Sequence, residues 1–166
     1  MNAAVLRDDP HPMLVPMTVS DVDAVVAVEV AAYAFPWTRG NFIDSLAAGY
    51  VARVLSNART RIAGYFIAME GVDEMHLLNL TVAPSEQGRG HAHRMLDELV
   101  ALCRERSAQQ LWLEVRESNA RARSLYLRYG FKHIGARPGY YPAAQGRRED
   151  AAVMSLDVTV ERDALE

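Results

Sequence analysis

Two side chains in this 166-residue sequence have the type and placement for proton transfer. In Leu111-Trp112-Leu113-Glu114-Val115-Arg116 the alternation of a strand sends Leu111, Leu113 and Val115 to one face and Trp112 and Glu114 to the other. Burial of a carboxylate there raises its pKa toward the range useful to a general base. The plainer reading is a solvated strand-end carboxylate paired with Arg116 or another arginine. Tyr126 falls on a helical stripe with Ala122, Leu125 and Tyr129, where a phenol serves either as a proton donor or as a structural aromatic.

A third element has the chemistry of anion binding. The segment Asn79-Leu80-Thr81-Val82-Ala83-Pro84-Ser85-Glu86-Gln87-Gly88-Arg89-Gly90-His91-Ala92 runs from a strand through a turn into a helix. Gly88 and Gly90 let the backbone come close to a ligand, and successive N–H groups at a helix start form a nest that suits a pyrophosphate. Arg89 adds positive charge nearby. A glycine-assisted turn without a ligand is the alternative. No Gly-Lys-Ser/Thr follows, and no G-x-G-x-x-G is present, which disfavours ATP and NAD.

The elements that must position these groups follow from periodicity. Leu14 to Met17 reads as a first strand, and Ser20 as the N-cap of a helix with Val22, Val25, Val26, Val30 and Tyr33 at helical spacing. Phe35-Pro36-Trp37 stops it. Thr38 caps a second helix, which Gly49 ends. Extended segments follow at 50–56, 62–69 and 74–82, with turns at Asn57-Ala58 and Gly71. A helix from about Gly90 to Arg106, a strand over 111–115 and a helix over 119–129 come next. The strands Phe131 to Ala136 and Ala151 to Leu156 close the chain, joined by a long loop containing Gly139-Tyr140-Tyr141-Pro142. This order predicts an α/β (α+β) domain with a mixed, mostly antiparallel sheet of about seven strands and helices on both faces. The expected division is a flexible N-terminal extension over 1–12, one domain over 13–158 and a tail over 159–166.

Composition narrows the function classes. A net charge of −3 gives no support for a broad hold on nucleic acid phosphates. The lone cysteine, Cys103, cannot form an internal disulfide and reads as a reduced core residue of a cytoplasmic protein. The longest nearly apolar stretch, Ala24 to Pro36, is broken by Glu29 and is shorter than the ~20 residues of a membrane span. Residues 1–12 lack the apolar stretch of a secretory signal. Of the histidines at 11, 76, 91, 93 and 133, the pair His91 and His93 does not stack on one helical face, so no metal site is expected.

Gln87-x-x-Gly90-x-Ala92, set between Val82-x-Pro84 and an amphipathic helix, resembles the acetyl-CoA signature of the GNAT superfamily, with His91 where an aliphatic residue is usual. The block 111–120, then Leu125-Tyr126-x-x-x-Gly130-Phe131, together with Ala34-Phe35-Pro36-Trp37, Tyr140-Tyr141-Pro142 and Glu149-Asp150-Ala151, is similar to one branch of it, the ribosomal-protein alanine N-acetyltransferases of RimI type. The similarity spans about 20–156. The doubled Arg147-Arg148 departs from that branch by lengthening the closing loop one residue.

The resemblance implies a fold and an activity. Glu114 becomes the proton acceptor and Tyr126 the proton donor. The backbone of Leu80, Thr81 and Val82, the donors of Gln87, Gly88, Arg89, Gly90, His91, Ala92 and His93, and Asn119 become acetyl-CoA contacts. Tyr140 and Tyr141 line a peptide groove. The implied acceptor is the N-terminal alanine of a small-subunit ribosomal protein. An α-amine of pKa about 7.7–8.0 costs only ~1 kcal/mol to neutralise at pH 7, against ~4.6 kcal/mol for a lysine at about 10.4, so one carboxylate working through water suffices. Two other readings stand beside it: a GNAT enzyme acting on a small amine or a lysine side chain, and a non-catalytic acetyl-CoA-binding regulator.

Overall fold

Seven strands and four helices carry these patterns in the computed structural model, which describes residues 12–56 and 62–160. In chain order they are β1 (Met13–Pro16), α1 (Val22–Ala32), α2 (Arg39–Ala47), β2 (Val51–Ser56), β3 (Gly64–Glu70), β4 (Glu74–Val82), α3 (His91–Glu105), β5 (Gln110–Arg116), α4 (Ala120–Tyr129), β6 (Lys132–Pro142) and β7 (Arg148–Asp157). All strands join one sheet in the order β1-β2-β3-β4-β5-β7-β6. Only the β4–β5 pairing is parallel. The expected mixed, mostly antiparallel seven-stranded sheet is what forms. Residues 1–11 of the expected extension over 1–12, the turn at Asn57-Ala58 and residues 161–166 of the expected tail over 159–166 lie outside the described residues.

Each face of the sheet is apolar for a local reason. The stripe of α3 buries Met95, Leu96, Leu99 and Cys103 against Phe66, Met75, Leu111, Leu113 and Met154, with Tyr126 and Tyr129 of α4 in the same cluster. Burying each leucine there contributes about 1.5–3 kcal/mol. On the opposite face Val22 and Val25 of α1 and Phe42 of α2 pack on Val54, Tyr65 and Ile67. That second cluster takes no residue from β5, β6 or β7, so the face of β5 that carries Trp112 and Glu114 stands outside it. Thr38 caps α2 as expected, accepting the Asn41 N–H at 3.2 Å.

Three expectations need correction. Ser20 is not the N-cap of α1: the Thr18 N–H donates to Asp21 Oδ2 at 2.8 Å, and a 3-10 turn over Val19–Asp21 leads into the helix. The reciprocal capping pair three residues apart outcompetes a lone serine. Nor do Val30 and Tyr33 belong to the buried stripe. Val30 is exposed, the helix ends at Ala32, and the buried positions are Val22, Val25 and Glu29. Finally, Tyr140-Tyr141-Pro142 is strand rather than loop. The register between β6 and β7 shifts between Arg137 and Tyr141, so a bulge absorbs Pro138 and Gly139 and the ladder resumes beyond them. Arg148 holds the bulge by donating Nε–H to the Gly139 carbonyl and an Nη2–H to the Tyr140 carbonyl, both at 2.9 Å.

Candidate active site

The one parallel contact in the sheet is short. β4 and β5 pair only over Glu74–Leu77 against Gln110–Leu113, although β4 runs on to Val82 and β5 to Arg116. The outer stretch of β4 keeps its ladder with β3, where Phe66 opposes Leu80 and Gly64 opposes Val82. Its other edge has no strand beside it, and main-chain groups in that state require a partner. A cavity of about 900 Å³ lies there, with Leu80, Thr81 and Val82 on one wall and Asn119, Ala122, Leu125 and Tyr126 on another. Tyr33, Phe35 and Arg116 line it too.

One end of the cavity is made of main-chain amides. Gly88 and Gly90 take φ of +80° and +81°, the left-handed region that glycine enters without cost. A Cβ at either would meet nothing within 4 Å, so the glycines are required by backbone conformation and not by crowding. Gly90 caps α3 and has no side chain to cover the helix start, so the amides of the first turn are open to an acceptor. His91, Ala92 and His93 line the cavity there, beside Gln87, Gly88 and Gly90. The helix dipole adds to the preference for an anion. This donor set fits the diphosphate of acetyl-CoA.

The arginines around this end are arranged otherwise than the sequence suggests. Arg89 does not line the cavity; its guanidinium is exposed and pairs with Glu86 at 3.2 Å. Arg121, which reads in the sequence as part of a solvated face, lines the cavity and donates to Gln87 Oε1 at 2.6 Å. Arg128 lines it too. Arg121 and Arg128 thus add positive charge to the cavity that the amide nest lines.

Tyr126 lines the same cavity. Its ring is buried edge-on against Phe131 at 5.4 Å, and its hydroxyl hydrogen-bonds to no described residue. Burial raises its pKa well above the ordinary value near 10, with the neighbouring Tyr33 and Tyr141 phenols adding to the shift. The proton is therefore present and uncommitted. Asn119 lines the cavity while its Oδ1 accepts the Ala122 N–H at 3.2 Å, capping α4 and fixing the helix that carries Tyr126.

Glu114 does not line the cavity but lies beside it, with only 5% of its side chain exposed. Oε2 is 2.5 Å from His76 Nε2, and Oε1 is 3.2 Å from Arg137 Nε. Its arginine partner is thus Arg137 and not Arg116, which donates instead to the Pro142 carbonyl at 2.7 Å and lies 3.6 Å from Glu149. Tyr140 and Tyr141 are also outside the cavity lining. They meet edge to face at 4.9 Å, with Arg137 over the first ring at 5.6 Å and Arg116 over the second at 4.5 Å. Burial and the charge of Glu114 are among the causes that raise both phenol pKa values. The site thus combines a cavity lined by the amide nest and Tyr126 with a cluster of Glu114, His76, Arg137 and the two tyrosines outside its lining.

Sequence reasoning missed three side chains here. Glu29 is buried and accepts from the Trp37 N–H at 2.9 Å, Asn79 Nδ2 at 3.1 Å and the Tyr65 hydroxyl. It pins the Phe35-Pro36-Trp37 turn to β3 and β4. Its signal was its isolation as the one charge between Ala24 and Pro36, read only as a break in an apolar run. Tyr33, at the end of α1, places its hydroxyl 2.7 Å from Thr81 Oγ1. His76, weighed only as a metal ligand, stacks flat on Trp112 at 3.6 Å. Among the described residues no group of three His, Cys, Asp or Glu side chains is placed to hold a metal ion.

Residues 22–131 match the acetyltransferase (GNAT) family, a stretch that contains the amide nest, Glu114 and Tyr126. The chain belongs to that family. Members of the GNAT family use acetyl-CoA as co-substrate, and the protein is an acyltransferase of this kind. It is 37% identical over 144 residues to the [ribosomal protein bS18]-alanine N-acetyltransferase of Salmonella typhimurium, covering 87% of this chain and 96% of that one. A relative of the same name from Haemophilus ducreyi is 35% identical over 136 residues, covering 82% and 93%. The crystal structure of the ribosomal-protein-S18-alanine N-acetyltransferase from Escherichia coli superposes with a TM-score of 0.81 at 32% identity, over 93% of this chain and 98% of that one.

Proposed function

We propose that this GNAT enzyme moves the acetyl group of acetyl-CoA to the N-terminal α-amine of a protein beginning with alanine, a small-subunit ribosomal protein in the cytoplasm. The observation that carries this reading is the placement of the uncapped start of α3 and the free hydroxyl of Tyr126 in one cavity, with the buried carboxylate of Glu114 beside it. The names and extent of similarity of the relatives support the choice of acceptor.

Acetyl-CoA supplies an activated acyl thioester. The amides of 88–93 hold the diphosphate, and Arg121 and Arg128 offset charge at the mouth. The free edge of β4 at Leu80–Val82 pairs with the amides of the cofactor arm and offers main-chain N–H donors to the carbonyl oxygen as it becomes an oxyanion. Glu114 accepts, through water, the proton that the attacking amine must lose, and Tyr126 gives its proton to the departing thiolate. Tyr140 and Tyr141, fixed by Arg137 and Arg116, border the path of the acceptor peptide next to Glu114.

The test compares an alanine-starting peptide with the same peptide blocked at its N-terminus and with polyamines, and adds intact-mass analysis of co-expressed ribosomal proteins. Transfer of one acetyl group to the free α-amine alone is expected. Acetylation of lysines in the blocked peptide, or of polyamines in preference to peptide, would overturn the reading.

A further inference from the structure

A chain of hydrogen bonds runs from the buried Glu29 to the wall of the cavity, and its direction is set by the chemistry of its members. The Glu29 carboxylate only accepts, so the group of Asn79 that faces it, at 3.1 Å, is the Nδ2 amide donor. That orientation turns Asn79 Oδ1 toward Thr81, whose hydroxyl donates to it at 2.8 Å. With its one hydrogen given away, Thr81 Oγ1 receives the Tyr33 hydroxyl at 2.7 Å. The alternative outlet for the Tyr33 proton, the Leu80 carbonyl at 3.4 Å, leads to the same result, because the hydrogen again points into the protein. In both arrangements Tyr33 keeps a lone pair and no hydrogen for whatever enters the cavity it lines.

Tyr126 is the complement. Its hydroxyl carries an uncommitted hydrogen, and its side chain lines the same cavity as Tyr33. One phenol is therefore set to give a hydrogen bond and the other to receive one. In an acetyl transfer the groups that meet there are a sulphur that leaves as an anion and an amine that arrives with N–H groups. The first calls for a donor and the second for an acceptor.

We infer that the Tyr33 hydroxyl is a binding residue for the acceptor, receiving an N–H of its terminal amine beside Leu80–Val82. The assignment rests on the proposed function and adds to it a recognition element for the amine itself. A hydroxyl that only accepts favours an ammonium or amine terminus over a carbonyl or hydroxyl-free end, and it leaves the nitrogen lone pair free to turn elsewhere. Glu29, Asn79 and Thr81 act as positioning residues that keep the hydroxyl hydrogen out of the cavity.

Tyr33→Phe removes the oxygen and keeps the ring. The experiment measures, by calorimetry on protein loaded with CoA so that no turnover occurs, the affinity of an alanine-starting peptide and of a desamino analogue with propionyl in place of alanyl. The expected result is an alanine peptide weakened about tenfold by the substitution, the loss of one hydrogen bond to a charged donor. The desamino peptide and CoA are expected to bind within about twofold of the original protein. Intact CoA binding also shows that the variant is folded. Equal losses for both peptides, no loss for either, or a loss of CoA affinity would overturn the assignment while leaving the acceptor class standing. In the original protein, an alanine peptide that binds no more tightly than its desamino analogue would overturn it without any substitution. Failure of the original protein to bind or acetylate any alanine-starting peptide would overturn the acceptor reading as well.

Discussion

Glu114 Oε2 lies 2.5 Å from His76 Nε2, and the imidazole is stacked on Trp112 at an interplanar angle of 11°. Glu114 and Trp112 share a face of β5, and His76 lies opposite Trp112 in the short parallel ladder. The carboxylate is therefore held between a histidine stacked on Trp112 and the guanidinium of Arg137 at 3.2 Å. Its position is thereby defined.

Glu114→Gln keeps the shape of the side chain and removes its charge. Turnover is expected to fall at least about 100-fold, the low end for loss of a general base, while acetyl-CoA affinity stays within a few-fold. Steady-state rates and calorimetry on the same preparation decide it. Unchanged turnover would remove Glu114 from the mechanism. His76→Phe, which preserves the stack on Trp112 but removes Nε2, is expected to lower kcat by about tenfold with little change in the KM for acetyl-CoA, as for a group that only positions the carboxylate.

Tyr126→Phe should slow the reaction without loosening the cofactor. A thiolate has a reference pKa of roughly 8.5 and can leave unaided at modest cost, so a loss of about 10- to 100-fold is expected, below that for Glu114. Because burial holds the Tyr126 pKa above its ordinary value, the phenol of the original protein keeps its proton through pH 9. The rate profile should show no alkaline decline from this group below that point. Such a decline, abolished by Tyr126→Phe, would contradict the structure.

Gly90→Val tests the amide nest. No atom blocks a side chain at position 90, so the effect comes from forcing a branched residue into φ of +81°. That conformation costs about 1–3 kcal/mol for a non-glycine residue, and relief of the strain would rotate the first amides of α3 away from the diphosphate. Acetyl-CoA affinity measured by calorimetry should fall by tenfold or more, with the fold intact by circular dichroism. Affinity equal to that of the original protein would refute the nest.

Glu29→Ala should be destabilising out of proportion to its size. It leaves the Trp37 N–H, Asn79 Nδ2 and the Tyr65 hydroxyl without their acceptor inside the protein. About 3 kcal/mol of unfolding free energy is expected to be lost, readable as a lower urea midpoint at unchanged slope. A change under about 0.5 kcal/mol would mean that the network is solvated.

Much of this site was legible before any coordinates. The glycine loop, the strand carboxylate and the helix tyrosine are local in sequence, and each depends on one element whose period is strong: α3, β5 and α4. What escaped depends on pairing between elements. Glu29 lies on α1 and Tyr33 just past its end, and a buried acidic residue on the helix breaks the rule that valines mark the stripe. His76 gains its meaning only when β4 and β5 come side by side in parallel. Arg137 meets Glu114 from β6, two strands away from β5 in the sheet, and Tyr141 and Pro142 rejoin the ladder beyond the irregularity at Pro138-Gly139, so neither placement shows in a local pattern.

Within the sheet, the half made of β1 to β4 is joined to the half made of β5, β7 and β6 by only four residues of each strand. In the proposed binding mode, a cofactor arm along the open edge of β4 would take the place of the missing rungs, so that a guest replaced at every turnover would complete the architecture of its host. Gripping the cofactor and stiffening the sheet would then be a single event, and letting go of spent CoA a brief, local loosening of the fold itself.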